Sequence, residues 1–109
     1  MSEISIQELM LNMPKVFLPD KAVGVDTVIQ YHLKGAEAGD WIVTIKNGTC
    51  VVEPGTTPSP KLTLTADSQD YKDLVTGKIN GMQAFTLGKL KMVGDFSIAM
   101  KLNSFFKKA

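Results

Sequence analysis

Only a few residue types in this sequence could do chemistry, and their spacing does not form any of the common sites. His32 is the single histidine, and it falls on the polar face of an alternating segment, without a cluster of cysteines or carboxylates that would complete a metal site. Cys50 is the single cysteine, and it falls on the inward face of a predicted hairpin, where a thiol behaves as a small hydrophobic group. We predict neither a metal site nor a nucleophile at these positions.

The glycines and the carboxylates also have structural explanations. The sequence contains neither the GxGxxG nor the GxxxxGK[ST] pattern of phosphate-binding loops. Asp67, Asp70 and Asp73 gather at the start of a predicted short helix, where capping and the helix dipole favour acidic residues. The sequence therefore predicts a protein that is not an enzyme and has no cofactor.

The composition indicates one soluble domain over residues 1–109, with 44% apolar and 21% charged residues. Twelve basic and eleven acidic residues give a net charge of +1, which is too small to favour nucleic acid as a partner. A single cysteine cannot form an internal disulfide, so the chain fits a reducing cytoplasm. We find no signal peptide and no apolar run of the roughly 20 residues that a membrane-spanning helix needs.

The first half of the chain predicts a helix followed by strands. Ser5 and Glu8 form a capping-box pattern before residues that recur at helical spacing, and Pro14 is expected to kink or end that helix. The segment GVDTVIQYHLKG alternates like a half-buried strand. Asn47-Gly48 predicts a two-residue hairpin turn in the next segment. The inward face of that hairpin then carries Trp41, Val43, Ile45, Cys50 and Val52.

The second half predicts a strand, two short helices, a last strand and a terminal helix. After the proline-rich loop PGTTPSP, KLTLTA alternates like a strand, and Asp67 caps the next helix. Asn80 and Gln83 repeat the capping-box spacing, KLKMV alternates again, and Asp95 caps the final helix. The predicted fold is α+β, with a five-stranded, mixed, mostly antiparallel sheet and helices covering one face. The element order is α-β-β-β-crossover-β-α-α-β-α.

A surplus of methionine and aromatic residues in the second half permits two interpretations. These side chains could simply pack together, or they could line a cavity that adapts to lipids of different shape, because methionine is flexible. The pattern of residues alone leaves both interpretations open.

The segments LTLTADSQDY, LVTGKINGMQAF and GKLKMVGDFSIAMKL resemble the sterol carrier protein type 2 domain family. The resemblance implies a sheet covered by helices that encloses an apolar tunnel for fatty acids, fatty acyl-CoA, sterols or phospholipids. The candidate ligand-binding residues are those that the resemblance implies, joined by the two hairpin positions for their inward direction and by Met82, Phe105 and Phe106 from the apolar surplus. These are Trp41, Val43, Met82, Phe85, Leu87, Leu90, Met92, Phe96, Ala99, Met100, Leu102, Phe105 and Phe106.

Two departures from the family pattern refine the expectation. Many relatives have a glutamine where Leu87 stands, and its loss removes a hydrogen-bond donor, which favours a fatty acid or fatty acyl-CoA over a sterol. The ending FFKKA lacks the SKL-type signal of peroxisomal relatives, which favours the cytoplasm.

The sequence predicts binding and transfer of a lipid without chemical change. For transfer, the terminal helix would open or touch a membrane with its end, Phe105 to Lys108, although a docked helix that never moves is equally compatible with the sequence. Two other functions remain open, namely a protein-interaction or dimerisation module and an accessory domain that presents lipid to a separate enzyme. The oligomeric state is not predicted.

Overall fold

The protein was analysed as a computed structural model, which describes residues 4–107 apart from the side chain of Asn103. Its centre is a five-stranded sheet in the order β3-β2-β1-β4-β5. The strands are β1 Thr27–Lys34, β2 Gly39–Lys46, β3 Thr49–Pro54, β4 Leu62–Asp67 and β5 Leu90–Gly94. All neighbours are antiparallel except β1 and β4, which are parallel, so the predicted mixed, mostly antiparallel sheet is confirmed.

Four α-helices and three short 3₁₀ helices connect and cover the sheet. The α-helices are α1 Ile6–Val16, α2 Ser68–Val75, α3 Gly81–Thr86 and α4 Phe96–Lys101. The 3₁₀ helices are Pro19–Lys21, Gly35–Glu37 and Leu102–Phe105. The predicted order of elements is therefore confirmed, and the class is α+β.

Local sequence signals explain where three helices begin. Ser5 accepts a hydrogen bond from the backbone N–H of Glu8, and Asn80 accepts one from that of Gln83, so both predicted capping boxes form. The carboxylate of Asp95 accepts hydrogen bonds from two backbone N–H groups of the first turn of α4. These contacts lower the pKa of Asp95, with the Ser97 hydroxyl as the largest cause.

Two predictions concern helix ends: the one for α1 left open whether Pro14 kinks or ends the helix, and the one for the terminal helix is wrong. Helix α1 continues for two residues beyond Pro14, which lies inside it. The terminal helix was expected to continue to the end of the chain, but α4 stops at Lys101 and a 3₁₀ turn follows. Phe106 is then extended and forms an isolated antiparallel bridge with Phe17, so the chain leaves helical geometry to pair with the end of α1. That long-range pairing outweighs the helical periodicity of the local sequence.

The hydrophobic core lies on the inner face of the sheet, under the helices. Strand residues of this face alternate with outward residues, as the half-buried strand pattern predicts. Its buried members are Ile29, Tyr31, Leu33, Val43, Ile45, Cys50, Leu62, Leu64, Ala66 and Leu90, joined by Ile6, Met10 and Met13 of α1.

The outer face of the sheet is covered locally by the loop that follows β3. Gln30 points outward from β1 and is nevertheless buried. Its side-chain amide donates hydrogen bonds to the carbonyls of Trp41 and Gly55 and accepts one from the N–H of Thr57. This side chain satisfies the backbone of the proline-rich loop, which would otherwise leave polar groups unpaired against the sheet. The loop therefore crosses over the sheet and leaves the inner face free for the site.

Candidate functional site

A cavity of about 400 Å³ opens between the inner face of the sheet and the helices. Its walls come from α1, from α2 and the connection to α3, and from the segment after α4, while β1 and β4 form the floor. The apolar wall residues are Ile4, Leu9, Met13, Val16, Leu64, Leu74, Val75, Ile79, Leu102 and Phe106. A cavity of this size and composition is in the range of small-molecule sites.

Two tyrosines, Tyr31 from the floor and Tyr71 from α2, provide the buried hydroxyl groups of the cavity. Tyr31 and Tyr71 both line it, are almost completely buried, and pack edge to face with their ring centroids 5.7 Å apart. Burial is the main reason why the pKa of each hydroxyl lies above its usual range. The Tyr71 hydroxyl lies 4.0 Å from the sulfur of Met13, which is a long distance for a hydrogen bond. Both phenols are therefore neutral at physiological pH, and Tyr71 makes only a weak contact as a donor.

The mouth of the cavity is polar. Asn12, Asn80 and Lys107 line the cavity and are exposed, so the cavity reaches solvent at this end. Lys107 gives the mouth a positive charge, whereas the floor carries none. This arrangement can accommodate a ligand with an apolar body and a polar or anionic end.

A partly buried ion pair fixes α1 and α2 beside the cavity. The ammonium of Lys72 pairs with the carboxylate of Glu37, which also accepts a 2.9 Å hydrogen bond from the backbone N–H of Ile6. The hydrogen bond to Lys72 is the largest cause of the lowered pKa of Glu37. The backbone N–H of Glu37 in turn donates to the hydroxyl of Ser68 at the start of α2. One acidic residue thus connects the first turns of both helices that line the site.

The end of the chain closes the opposite wall. Phe106 packs against Phe17 with ring centroids 5.8 Å apart. The backbone N–H of Leu18 donates to the carbonyl of Phe105, and the N–H of Lys107 donates to that of Val16, each at 2.7 Å. Phe105 itself is completely buried. Of the predicted membrane-touching end, Phe105 and Phe106 are therefore packed inside, and Lys108 lies outside the described residues.

The thirteen candidate ligand-binding residues are distributed over three environments. Leu102 and Phe106 line the cavity. Trp41, Val43, Leu90, Met92, Ala99 and Phe105 are buried or half-buried in the core. Met82, Phe85, Leu87, Phe96 and Met100 are exposed on α3, its C-terminal end and α4.

The exposed position of Leu87 separates it from the cavity described here. With 65% of its surface exposed, Leu87 does not touch the cavity, so the residue type at this position does not set the cavity's polarity. The candidate roles of the thirteen residues as ligand contacts stay predictions.

Several cavity residues were missed by the sequence analysis. Leu9, Met13 and Val16 follow one another at helical spacing on α1, and α2 contributes Leu74 and Val75. The helical periodicity identified an apolar stripe on α1. That stripe does not reveal whether it packs against neighbours or faces an open space, and no other sequence signal distinguishes the two.

The two residues with possible chemistry lie away from the cavity. His32 is half-exposed on the outer face, where its Nδ1 is 2.6 Å from a carboxylate oxygen of Asp40, its partner in the β1–β2 register. The sequence analysis missed this pair. Cys50 is buried on the inner face of the hairpin, and burial raises its pKa to about 11. Across residues 4–107 no three histidine, cysteine or acidic side chains come together as a metal site, and no helix there is long and apolar enough to cross a membrane.

Comparison with known proteins identifies relatives across most of the chain. It is 41% identical to "Peroxisomal multifunctional enzyme A" of Dictyostelium discoideum over 73 residues, which are 65% of this chain and 16% of that protein. It is 39% identical to human "Sterol carrier protein 2" over 70 residues, which are 64% of this chain and 13% of that protein. The chain thus spans about one sixth and one eighth, respectively, of these curated relatives.

A solved structure agrees over nearly the whole chain. The solution structure described as palmitated SCP2L2 from Aedes aegypti is 27% identical, with a TM-score of 0.71, and the match covers 93% of each chain. The sequence model of the SCP-2 sterol transfer family matches residues 15–107. Because this match covers all five strands and the helices α2, α3 and α4, the chain belongs to the SCP-2 sterol transfer family.

Proposed function

We propose that residues 1–109 act as one domain that binds a fatty acid or the acyl chain of a fatty acyl-CoA in the cavity and transfers it without chemical change. The single observation that carries this proposal is the apolar cavity of about 400 Å³ between the sheet, α1, α2 and the end of the chain. Its mouth carries Lys107, and its buried surface carries two neutral phenols. In this proposal, the cavity is the internal apolar tunnel that the family resemblance implies.

The size of the cavity favours a single alkyl chain. A methylene takes about as much room as a water molecule, roughly 30 Å³, so the cavity holds about a dozen methylenes. Burying about ten of them contributes roughly 8 kcal/mol at about 0.8 kcal/mol each, before the association cost of at least about 4 kcal/mol. The remaining roughly 4 kcal/mol corresponds to a dissociation constant of about a millimolar.

The relatives support the same class of ligand. The Aedes aegypti protein, which is more than a quarter identical, is described as palmitated. The family itself is described by sterol transfer, so a sterol is the competing ligand. We favour the acyl chain because Lys107, the charged residue that lines the cavity, is exposed, so a carboxylate or thioester beside it keeps contact with water.

We further propose that the carboxylate of a bound fatty acid lies at the mouth beside Lys107. An ionised carboxylate is costly to bury without a partner, and the floor of the cavity is apolar apart from the phenol of Tyr31. Pairing with an exposed lysine contributes about 0.2 to 1 kcal/mol. Lys107→Met should therefore weaken fatty-acid binding by about two- to fivefold and leave the binding of the fatty alcohol of equal length unchanged. Lys21→Met, on the 3₁₀ helix Pro19–Lys21, is the matched control.

The proposal is tested by asking whether the protein holds lipid. Lipids that co-purify with the native protein are identified by mass spectrometry, and a fluorescent fatty acid is then titrated and displaced by palmitate or by cholesterol. We expect a fatty acid in the extract and displacement by palmitate at lower concentration than by cholesterol. Stronger displacement by cholesterol would contradict the preference, and an absence of saturable fatty-acid binding would contradict the function.

The relatives also favour a second candidate, in which the domain presents lipid to an enzyme. The chain matches only 16% of the Dictyostelium protein, whose name describes a multifunctional enzyme, so the matching part is a small portion of that protein. If this chain acts in the same way, adding it to an acyl-chain-using enzyme in trans should lower the KM of that enzyme for its lipid. The variant Val75→Trp, which fills part of the cavity, is the control for that assay.

The remaining expectations concern location and membrane contact. We propose a reducing, cytoplasmic location because Cys50 is a buried free thiol without a disulfide partner. We propose that the end of the chain, which forms one wall of the cavity, moves aside during transfer. Deleting residues 103–109 should then change the rate at which a fluorescent fatty acid is transferred between vesicles, and an unchanged rate would show that this segment is not the gate.

A further inference from the structure

A patch of large apolar side chains is exposed on the surface formed by α3 and α4. We call it the α3–α4 patch, and it consists of Met82, Phe85, Leu87, Phe96 and Met100. Met82 and Met100 are 77% and 84% exposed, which is extreme for methionines in helices that also contribute to the core. Scattered apolar residues are normal on a surface, but a contiguous group marks an interaction site.

The patch is contiguous because the faces of the two helices meet. Phe85 and Phe96 pack edge to face, with ring centroids 6.4 Å apart and planes at 85°. Phe96 and Met100 are four residues apart on α4, and Met82 and Phe85 are three apart on α3, so each pair shares one helix face. The aromatic contact therefore joins two short apolar rows into one surface. The single buried residue of α3 is Ala84, on the other side of that helix.

The charges of this part of the chain identify the partner of the patch. Residues 76–109 contain six lysines and one acidic residue, whereas residues 1–75 contain six lysines and ten acidic residues. The acidic residue, Asp95, is engaged in capping α4. Lys101 directly follows Met100, and Lys89 lies two residues after Leu87. Both lysines are exposed, although Lys89 also has Asp70 at 3.9 Å. An apolar surface with a lysine-rich margin is the composition of a surface that inserts at an anionic membrane.

We propose that the α3–α4 patch is a docking surface for an anionic lipid bilayer, with its five apolar side chains in the headgroup region and the neighbouring lysines against the anionic headgroups. A second copy of this chain fits the patch less well, because two such surfaces would bring like charges together. Phe105 and Phe106 are not part of this surface, because Phe105 is buried and Phe106 is partly buried against the core.

This inference deepens the proposed function, since it assigns the side from which lipid enters and leaves. Gly81, the first residue of α3, and Leu102, the residue after α4, both line the cavity. A bilayer on the patch would thus contact the two elements whose ends border the site. Docking is nevertheless measurable without any cargo, so failure of the inference and failure of lipid binding give different results.

The test measures the partition of the full chain onto vesicles by co-sedimentation. Vesicles of phosphatidylcholine with phosphatidylserine are compared with vesicles of phosphatidylcholine alone, at low and at high salt. The patch variant is the double substitution Met82→Glu and Met100→Glu, which changes two exposed positions. The matched control is Val23→Glu with Val51→Glu, because these valines are exposed outside the patch and the net charge changes equally. Circular dichroism verifies that each variant is folded.

We expect wild type and control to bind the anionic vesicles more strongly than the neutral ones. The patch variant should bind the anionic vesicles at least about tenfold more weakly than the control does. Equal binding by the patch variant and the control would overturn the inference. Equal binding to neutral and anionic vesicles would also overturn it, because the charge argument would fail. A dimer in analytical ultracentrifugation that the patch variant loses, without vesicle binding by wild type, would show instead that the patch joins two copies. Loss of fatty-acid binding in solution by wild type would contradict the proposed function alone.

Discussion

Reducing the free volume of the cavity gives the most direct test of its role. Val75 lines the cavity from the end of α2 and is only half-buried, so a larger side chain there can extend into the open space. Replacing it by tryptophan adds about seven non-hydrogen atoms, which take the room of roughly four methylenes at about 30 Å³ each. At about 0.8 kcal/mol per methylene, the lost burial is about 3 kcal/mol, or roughly a hundredfold in the dissociation constant.

The assay for this prediction is the titration of fatty acids of increasing chain length. Val75→Trp should weaken the binding of long chains about a hundredfold and that of short chains much less, because a short chain does not need the blocked volume. Val51→Trp, which makes the same change on the exposed outer face of β3, is the matched control. Leu102→Trp blocks the cavity from the opposite wall and should act in the same direction.

One result would refute this reasoning. If Val75→Trp and Leu102→Trp remain folded and bind long-chain fatty acids as tightly as Val51→Trp does, the ligand does not occupy the cavity described here. Thermal unfolding of each variant distinguishes this result from simple misfolding. Tryptophan in a closed core would lower stability by about 1 to 3 kcal/mol, whereas in an open cavity it should lower it less.

The structure makes three further predictions about stability and reactivity. The hydroxyl of Thr27 is buried without a hydrogen-bond partner among the described residues, so Thr27→Val should raise the free energy of unfolding by about 1 kcal/mol, measured by urea denaturation. Burial raises the pKa of Cys50 to about 11, so iodoacetamide should modify it slowly at pH 8 in the folded protein and rapidly in denaturant, and equal rates would contradict its burial. Gly94 and Gly24 both have positive φ, but only at Gly94 would a Cβ collide with the carbonyl of Lys61, so Gly94→Ala should lower the melting temperature more than Gly24→Ala does.

The raised pKa of Cys50 also fixes the direction of a pH effect. The folded protein keeps this thiol protonated at a pH where the unfolded chain already loses the proton, so the contribution to stability is fully present below about pH 8.5, the usual pKa of a free thiol. It is lost as the pH rises through the folded value of about 11. The two tyrosines of the cavity act in the same sense at higher pH.

Local signals in the sequence were sufficient to predict the elements of the fold. Asn47 and Gly48 have positive φ, as a two-residue hairpin turn requires, and this turn sets the predicted register of Ile45 opposite Cys50. The capping residues marked the starts of helices for the same reason, because each satisfies backbone groups within a few residues of itself. Features determined by neighbours in sequence are thus readable from sequence.

The site depended on contacts between distant segments, and these were not predictable. The terminal segment was expected to continue as a helix with Phe105 and Phe106 near a membrane, but its pairing with Phe17 and Leu18 turns both side chains inward. Helical spacing also placed Met100 and Phe105 in the same broad apolar stripe, although Met100 is exposed and Phe105 is buried. Whether an apolar stripe faces core, cavity or solvent depends on what packs against it, and no local signal carries that information.

The pairing between the end of the chain and the end of α1 provides a built-in reporter of cavity opening. The amide protons of Leu18 and Lys107 are held by carbonyls across that seam, and Val16, Phe106 and Lys107 border the cavity. Any motion that parts the two segments must break these hydrogen bonds, so the exchange rates of the two amides with deuterated water measure how often the wall opens. A bound alkyl chain that holds the seam shut should slow both rates together, even where no vesicle is present.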